Sequence, residues 1–240
     1  DCLELMKDIP DKSIDLILCD LPYGTTACKW DDIIPFEPLW EQYERVIKDN
    51  GAIVLTASQP FTSTLIMSNI KLFRYTWVWE KSKATGFLNA KKRPLVAHED
   101  ITVFSKKPTT YNPQFSTKEP YNKGIRKEQT DDDVYGNFER VEVKSDGKRY
   151  PRSVVYFKTA ESEGAALHKT QKPLKLFEYL IKTYTNEGDL VLDNCMGSGT
   201  TGVACVNLNR DFIGIELDDK YFEIAKKRIE SHEVQIGWIK

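Results

Sequence analysis

Four consecutive residues, Asp20-Leu21-Pro22-Tyr23, combine a carboxylate, a stiffened backbone carbonyl and an aromatic face. A carboxylate accepts hydrogen bonds from an exocyclic amine. A carbonyl just ahead of a proline accepts a second one from a fixed position, because proline sets its own φ and restricts the residue before it. A tyrosine at the next position stacks on a planar ring. Together they form a clamp for the amino group of a nucleobase. The same residues also suit a plain turn, with Pro22 at the bend and Tyr23 packed back on the core. A second constellation separates the two readings.

Gly197-Ser198-Gly199-Thr200-Thr201 follows the apolar segment Leu190-Val191-Leu192-Asp193. Two glycines after a strand allow close backbone approach to a ligand, with helix N–H groups beginning near Thr200. Gly202 supplies the third glycine of a G-x-G-x-x-G spacing, but Thr200 and Thr201 crowd that loop. Glu216 lies about 20 residues on, at the end of the next strand, where a carboxylate can grip both ribose hydroxyls. The pattern implies a nucleoside-bearing cofactor. On these residues alone a nicotinamide dinucleotide stays open.

Both constellations need strands to carry them. Ile14-Asp15-Leu16-Ile17-Leu18-Cys19 reads as a buried strand that delivers Asp20 to the rim of an α/β sheet. Asp1 to Leu5 reads as the end of a strand entering a short helix. An amphipathic helix is expected from Pro38 to Asp49, ended by Asn50-Gly51, then a buried strand at 52–56. A helix from Gln59 to Asn69 and strands at 73–79 and 101–104 follow. From about Lys106 to Leu167 the period dissolves, apart from a strand at Ser153–Phe157. So long an irregular stretch is functional or mobile, and its interleaved aromatics let it fold on itself. Regularity returns with a helix from Pro173 to about Thr185, strand 190–193, a helix to Asn207, strand 212–216 and helix 221–229.

A chain of 240 residues accommodates one α/β domain with an insertion, or two small domains. No run approaches the roughly 18 apolar residues of a membrane span, and no signal peptide is visible, although the chain opens without Met. Five cysteines without a C-x-x-C pair point to a reducing, cytoplasmic compartment, core packing and no zinc or other metal site. Residues 81–175 carry 20 Lys and Arg against 12 Asp and Glu, while the remainder carries 14 against 24. A basic middle in an acidic chain fits a polyanion-facing surface.

The combined pattern resembles the amino-methylating DNA methyltransferases that use S-adenosylmethionine. Asp20-Leu21-Pro22-Tyr23 resembles their catalytic D-P-P-Y box, and Asp193-Asn194-Cys195-Met196-Gly197-Ser198-Gly199-Thr200-Thr201 their cofactor loop, usually D-P-F-x-G-S-G-T-T. His168 to Pro173 is similar to their H-P-T-Q-K-P segment, Asn209 to Glu216 to the strand with the ribose-binding acid, and Asp1 to Glu4 to a segment that meets the cofactor adenine. The box precedes the cofactor loop, as in the permuted β arrangement. The resemblance implies a Rossmann-like α/β fold with a mostly parallel central sheet flanked by helices. It further implies a catalytic half over 1–105, a target-recognition insertion over 106–166 and a cofactor-binding half over 167–240. Two departures stand out: Leu21 replaces a proline, and Asn194-Cys195 replaces Pro-Phe.

By this resemblance Asp20 and the Leu21 carbonyl hold the amine, Pro22 fixes that carbonyl and Tyr23 stacks on the flipped base. Asp1 and Cys2 meet the cofactor adenine, Glu216 the ribose, and Leu217 also borders the cofactor. Asp193, Asn194, Cys195, Gly197, Ser198, Gly199 and Thr200 form the loop, with His168 and Lys172 at the methionine end. Asp20 also borders the cofactor. Lys91, Lys92 and Arg93, the densest cationic cluster, are expected on the phosphates of double-stranded DNA. An acid-first box favours adenine N6 over cytosine N4, whose enzymes more often begin with Ser. A non-catalytic DNA-binding relative and a protein glutamine methyltransferase are the rival readings. A homodimer, a cognate restriction enzyme and, for a bacterial or phage protein, association with the nucleoid are further expectations.

Overall fold

Ile14–Cys19 forms β1, buried along almost its whole length, which is why it reads as a continuous apolar run rather than an alternating one. The computed structural model describes residues 1–25, 31–125, 142–164 and 171–236. His168, Cys28 and the aromatics Tyr135 and Phe138 lie outside the described residues.

The other strands of the main sheet are β2 (Ile47–Ala57), β3 (Phe73–Thr85), β4 (Val96–Phe104), β5 (Val154–Phe157), β6 (Leu190–Asp193) and β7 (Asp211–Gly214). Their order is β7-β6-β1-β2-β4-β3-β5. Only β4 runs against the rest, pairing antiparallel with β2 and β3, so the sheet is mostly parallel. β1 lies between β6 and β2, in register at Leu16 with Val191 and with Ala52. From β1 the chain passes through α1 (Phe36–Val46) to β2 on one side. From β6 it passes through α4 (Thr200–Asn207) to β7 on the other. The crevice where connections diverge is the ligand position of open α/β sheets.

α1, α2 (Phe61–Ser68), α3 (Leu174–Tyr184) and α5 (Asp219–Ile236) complete the layers. Alternation along β1 sorts two cores. Ile17 and Cys19 pack with Leu39, Trp40 and Tyr43 of α1. Leu16 and Leu18 pack with Leu176, Phe177 and Leu180 of α3 and Ala204 of α4. Cys19 and Cys205 are core residues, whereas Cys2 and Cys195 are only half-buried.

Two expectations are corrected. Cys2–Leu5 is a helix and not the end of a strand, because the Asp1 carboxylate caps it by accepting the Leu3 N–H at 2.8 Å. α1 stops at Val46, and β2 already begins at Ile47. Asn50-Gly51 therefore sits inside a strand, at a register shift against β1. A Cβ at Gly51 would stand 2.8 Å from the Asp15 carbonyl, so glycine there permits close approach of β1, not a helix stop. Val154–Phe157 pairs in parallel with β3 and so belongs to the main sheet.

Residues 1–112 and 153–240 form one compact unit and residues 113–152 another. In the smaller unit Ser116–Thr117 pairs with Lys148–Arg149, and Tyr121–Ile125 with Glu142–Ser145. Phe115 meets Tyr150 at 4.8 Å between centroids, and the Arg149 guanidinium lies 4.7 Å from the Tyr121 ring. Among the described residues no helix is long and apolar enough to cross a membrane.

Candidate active site

β1 ends at Cys19, and the chain then turns with Asp20 at the carboxyl edge of the sheet. Three side chains converge on its carboxylate. Tyr23 Oη donates to Oδ1 at 2.7 Å, Thr56 Oγ1 at the end of β2 donates to the same oxygen, and Lys172 Nζ donates to Oδ2 at 2.6 Å. Oδ1 thus accepts two hydrogen bonds from these groups and Oδ2 one, leaving Oδ2 the oxygen better able to accept another. The Tyr23 ring stacks on Phe61 at 5.1 Å and 24°. Burial, then the charge of Asp20, pushes the Tyr23 phenol well above its ordinary pKa, so it stays an O–H donor at neutral pH. Leu21 is buried in the core. The residue that stands where a first proline was expected is thus an apolar anchor.

A carboxylate eight residues downstream holds the box in shape. Asp31 accepts from the backbone N–H groups of Tyr23 at 2.8 Å, Gly24 at 3.0 Å and Thr25 at 2.9 Å. Three successive N–H groups converging on one buried acid form an anion nest whose anion is part of the chain.

Lys172 continues into a row of alternating charge. Its ammonium is 3.5 Å from Glu99 Oε2 on β4, and Lys81 on β3 is 3.2 Å from Glu99 Oε1. Burial works against the charged form of Lys172, but Asp20 and Glu99 outweigh it and hold its pKa above the ordinary lysine value. Glu99 Oε2 is buried and, among the described residues, makes no hydrogen bond beside that ion contact.

β6 carries the second half. Asp193 ends the strand, accepts the Cys195 N–H at 3.1 Å and takes the Thr201 hydroxyl on its other oxygen. Burial raises its pKa to about 6 despite these hydrogen bonds. Gly197 has φ +51° and open space where a side chain would stand. Its N–H donates to Glu216 Oε2 at 2.8 Å, while Glu216 Oε1 accepts the Asp218 N–H at 2.9 Å. Gly199, at φ +77°, caps α4, and a Cβ there would come within 2.9 Å of Ala225. Arg228 of α5 donates to the Ser198 carbonyl at 3.0 Å and to Thr200 Oγ1 at 3.1 Å, tying the loop down from behind. Asn194 accepts the Tyr43 hydroxyl at 2.6 Å and points its amide at Cys2 and Cys195.

One cavity of about 850 Å³ joins both halves. Asp20 to Tyr23 and Lys172 line one part; Asp193 to Cys195, Gly197, Ser198 and Thr200 line another; Asp1, Cys2, Glu216 and the exposed Leu217 close it. The volume lies in the range of cofactor and ligand sites. Gly199 shapes the loop from beneath. Lys91, Lys92 and Arg93 are exposed and stand outside the cavity, and His168 lies outside the described residues.

Sequence reading missed Thr56, Asp31, Glu99, Lys81 and Arg228. The first four reach the box through loop closure and strand pairing, which no local period encodes. Arg228 looks like one more charge on an exposed helix. A signal existed only for Asp31, an acid following the box within one short loop.

Residues 14–227 match the N6/N4 family model described as DNA methylase. The Type II methyltransferase M2.DpnII of Streptococcus pneumoniae is 40% identical over 258 residues, which cover 96% of this chain and 88% of that protein. The crystal structure of the M1.HpyAVI–SAM complex is 28% identical, with a TM-score of 0.64, covering 95% of this chain and 96% of the other. The cytosine-N4-specific PvuII DNA methyltransferase superposes with a TM-score of 0.66 over 98% of this chain and 90% of its own, at 16% identity, a likeness of fold alone. With the family model spanning most of its length and both halves of the site in one cavity, this chain belongs to the N6/N4 DNA methylase family.

Proposed function

We propose that this chain transfers a methyl group from S-adenosylmethionine to N6 of adenine in DNA. The observation that carries the reading is the shared cavity: an acid-first amine clamp on one wall and a glycine cradle with a ribose-gripping acid on the other. The cradle fits the cofactor, since no side chain fills the space above Gly197 and Glu216 keeps acceptor capacity on both oxygens. Glu216 would hold the ribose hydroxyls, Asp1 and Cys2 would border the adenine, and the 193–200 loop would follow the remainder. When bound, the cofactor supplies a methyl group on a cationic sulfur that departs as a neutral thioether.

An exocyclic amine is a weak nucleophile because its lone pair is delocalised into the ring. Asp20 Oδ2 and the Leu21 carbonyl would each accept one amine N–H and draw the nitrogen toward a tetrahedral shape, which localises the lone pair. Asp20 Oδ2 would also accept the proton the amine sheds as the new N–C bond forms. Tyr23 is already seated on Phe61 and bonded to Asp20, and a flipped ring would stack on it once the Lys172 ammonium, 5.6 Å from the ring centroid, gives way. Lys91, Lys92 and Arg93 would contact phosphates. As with the Type II relatives, a restriction-modification setting is proposed.

The test is transfer of labelled methyl from S-adenosylmethionine to unmethylated duplex DNA, followed by nucleoside analysis. N6-methyladenine is the expected product, and Asp20→Ala is expected to abolish it while cofactor binding persists. N4-methylcytosine would keep the clamp chemistry and overturn the base assignment. No label in DNA with cofactor binding intact would favour a non-catalytic DNA-binding relative.

A further inference from the structure

At the mouth of the cavity stands a turn that the transfer chemistry does not use. β3 runs to Thr85, and Gly86 reverses it at φ +88°, a conformation that strains any residue with a Cβ. Phe87–Asn89 then form one tight turn, closed by the Asn89 N–H on the Gly86 carbonyl at 2.9 Å and the Ala90 N–H on the Phe87 carbonyl at 3.1 Å. The Lys92 and Arg93 N–H groups both donate to the Asn89 carbonyl, at 2.8 and 3.0 Å. The tip is therefore a hydrogen-bonded structure with defined side-chain directions.

It presents two large apolar side chains. Phe87 lines the cavity and is 64% exposed; Leu88, which does not line it, is fully exposed. Three exposed cations, Lys91, Lys92 and Arg93, follow directly. A scattered surface leucine is ordinary, but this one stands in a hydrogen-bonded turn beside the site with cations following it. A duplex that has given up a base matches that chemistry: an apolar slot between stacked pairs, with phosphates on either side. Proteins that open base steps fill such slots with apolar side chains. A protein partner would match the apolar tip but has no need of the three cations.

Resting on the DNA-methylation reading above, we propose that Leu88 is a wedge that occupies the gap left in the duplex when the target base enters the cavity. Phe87 closes the rim behind the base, and Lys91, Lys92 and Arg93 hold the neighbouring phosphates.

The wild-type protein first identifies the target base by product sequencing. Two duplexes carrying that site are then compared, one fully paired and one with an abasic position opposite the target. Leu88→Ala is expected to slow transfer on the paired duplex by about tenfold or more, and on the loosened duplex by less than about threefold, since that base is already unpaired. Leu88→Met, which restores length and apolarity, is expected to recover most of the paired-duplex rate. Turnover on the loosened duplex within about threefold of wild type shows that the variant is folded. Equal loss on both duplexes, or wild-type rates on both, would overturn the wedge. Failure of the wild type to label either duplex would instead overturn the DNA-methylation reading on which it rests.

Discussion

Lys172 Nζ lies 2.6 Å from Asp20 Oδ2, the carboxylate oxygen that carries one hydrogen bond where its neighbour carries two. The two residues are 152 positions apart, one after β1 and one just ahead of α3. The cation thus occupies the oxygen that an incoming amine would use. It orients the half-buried carboxylate, and on the proposed reading substrate would compete with it for that oxygen.

Lys172→Met tests this arrangement. It leaves Asp20 and Glu99, its two ion partners, with Lys81 as the one counter-charge paired there among the described residues. Breaking a buried pair costs about 3–5 kcal/mol, and the lower end applies because Asp20 is partly exposed. Adding Glu99→Gln restores one cation to one anion. The double variant is therefore expected to be more stable than Lys172→Met alone, measured by urea unfolding. Transfer should fall by about tenfold or more in Lys172→Met while cofactor affinity changes little. A large loss of cofactor affinity would move Lys172 to the methionine end of the cofactor instead.

Asp31 is expected to matter as much as the box it holds. Asp31→Ala strands three backbone N–H groups, each bonded to a charged acceptor worth about 1.5–3 kcal/mol. Asp31→Asn keeps one acceptor oxygen, which can serve Tyr23 and Gly24 while losing Thr25. The rate of methyl transfer should fall in the order wild type, Asn, Ala, with cofactor affinity preserved. Equal rates for Asn and Ala would mean that the nest is not what shapes the box.

These two sites also mark how far the sequence can be read. The box, the glycine loop and Glu216 were legible because each is local: a strand, a turn and a few residues at fixed offsets. Most of the polar surroundings of Asp20 were not. Thr56, Glu99 and Lys81 come from three strands and meet only when β2, β4 and β3 pair. β3 itself was read short, since beyond Trp79 its side chains are mostly exposed and polar and carry no apolar signal. β2 was read late for a related reason: Lys48 to Asn50 is a polar stretch ending in a glycine that resembles a helix stop. Patterns reveal what each element buries, whereas the electrostatics of the site depend on which elements become neighbours.

Asp193 gives the site a pH signature. Burial raises its pKa from 3.8 to about 6, outweighing hydrogen bonds from Thr201 and Cys195 that favour the charged form. The fold therefore favours the protonated acid, and the folded state holds more proton at this position than the unfolded chain between those values. The stability this contributes is fully present below the unfolded pKa and is lost as pH rises through about 6. The difference spans roughly 3 kcal/mol at about 1.4 kcal/mol for each pH unit. Asp193→Asn resembles the neutral acid at every pH, and its oxygen can still accept the Cys195 N–H. Measured against wild type, the variant should gain up to about 3 kcal/mol in relative stability between about pH 4 and about pH 7.5. Comparing the two proteins at each pH cancels the other titrating groups. A stability difference that stays flat across that range would mean that Asp193 is ionised in the fold at the lower pH, and that the loop supports its charge better than its burial implies.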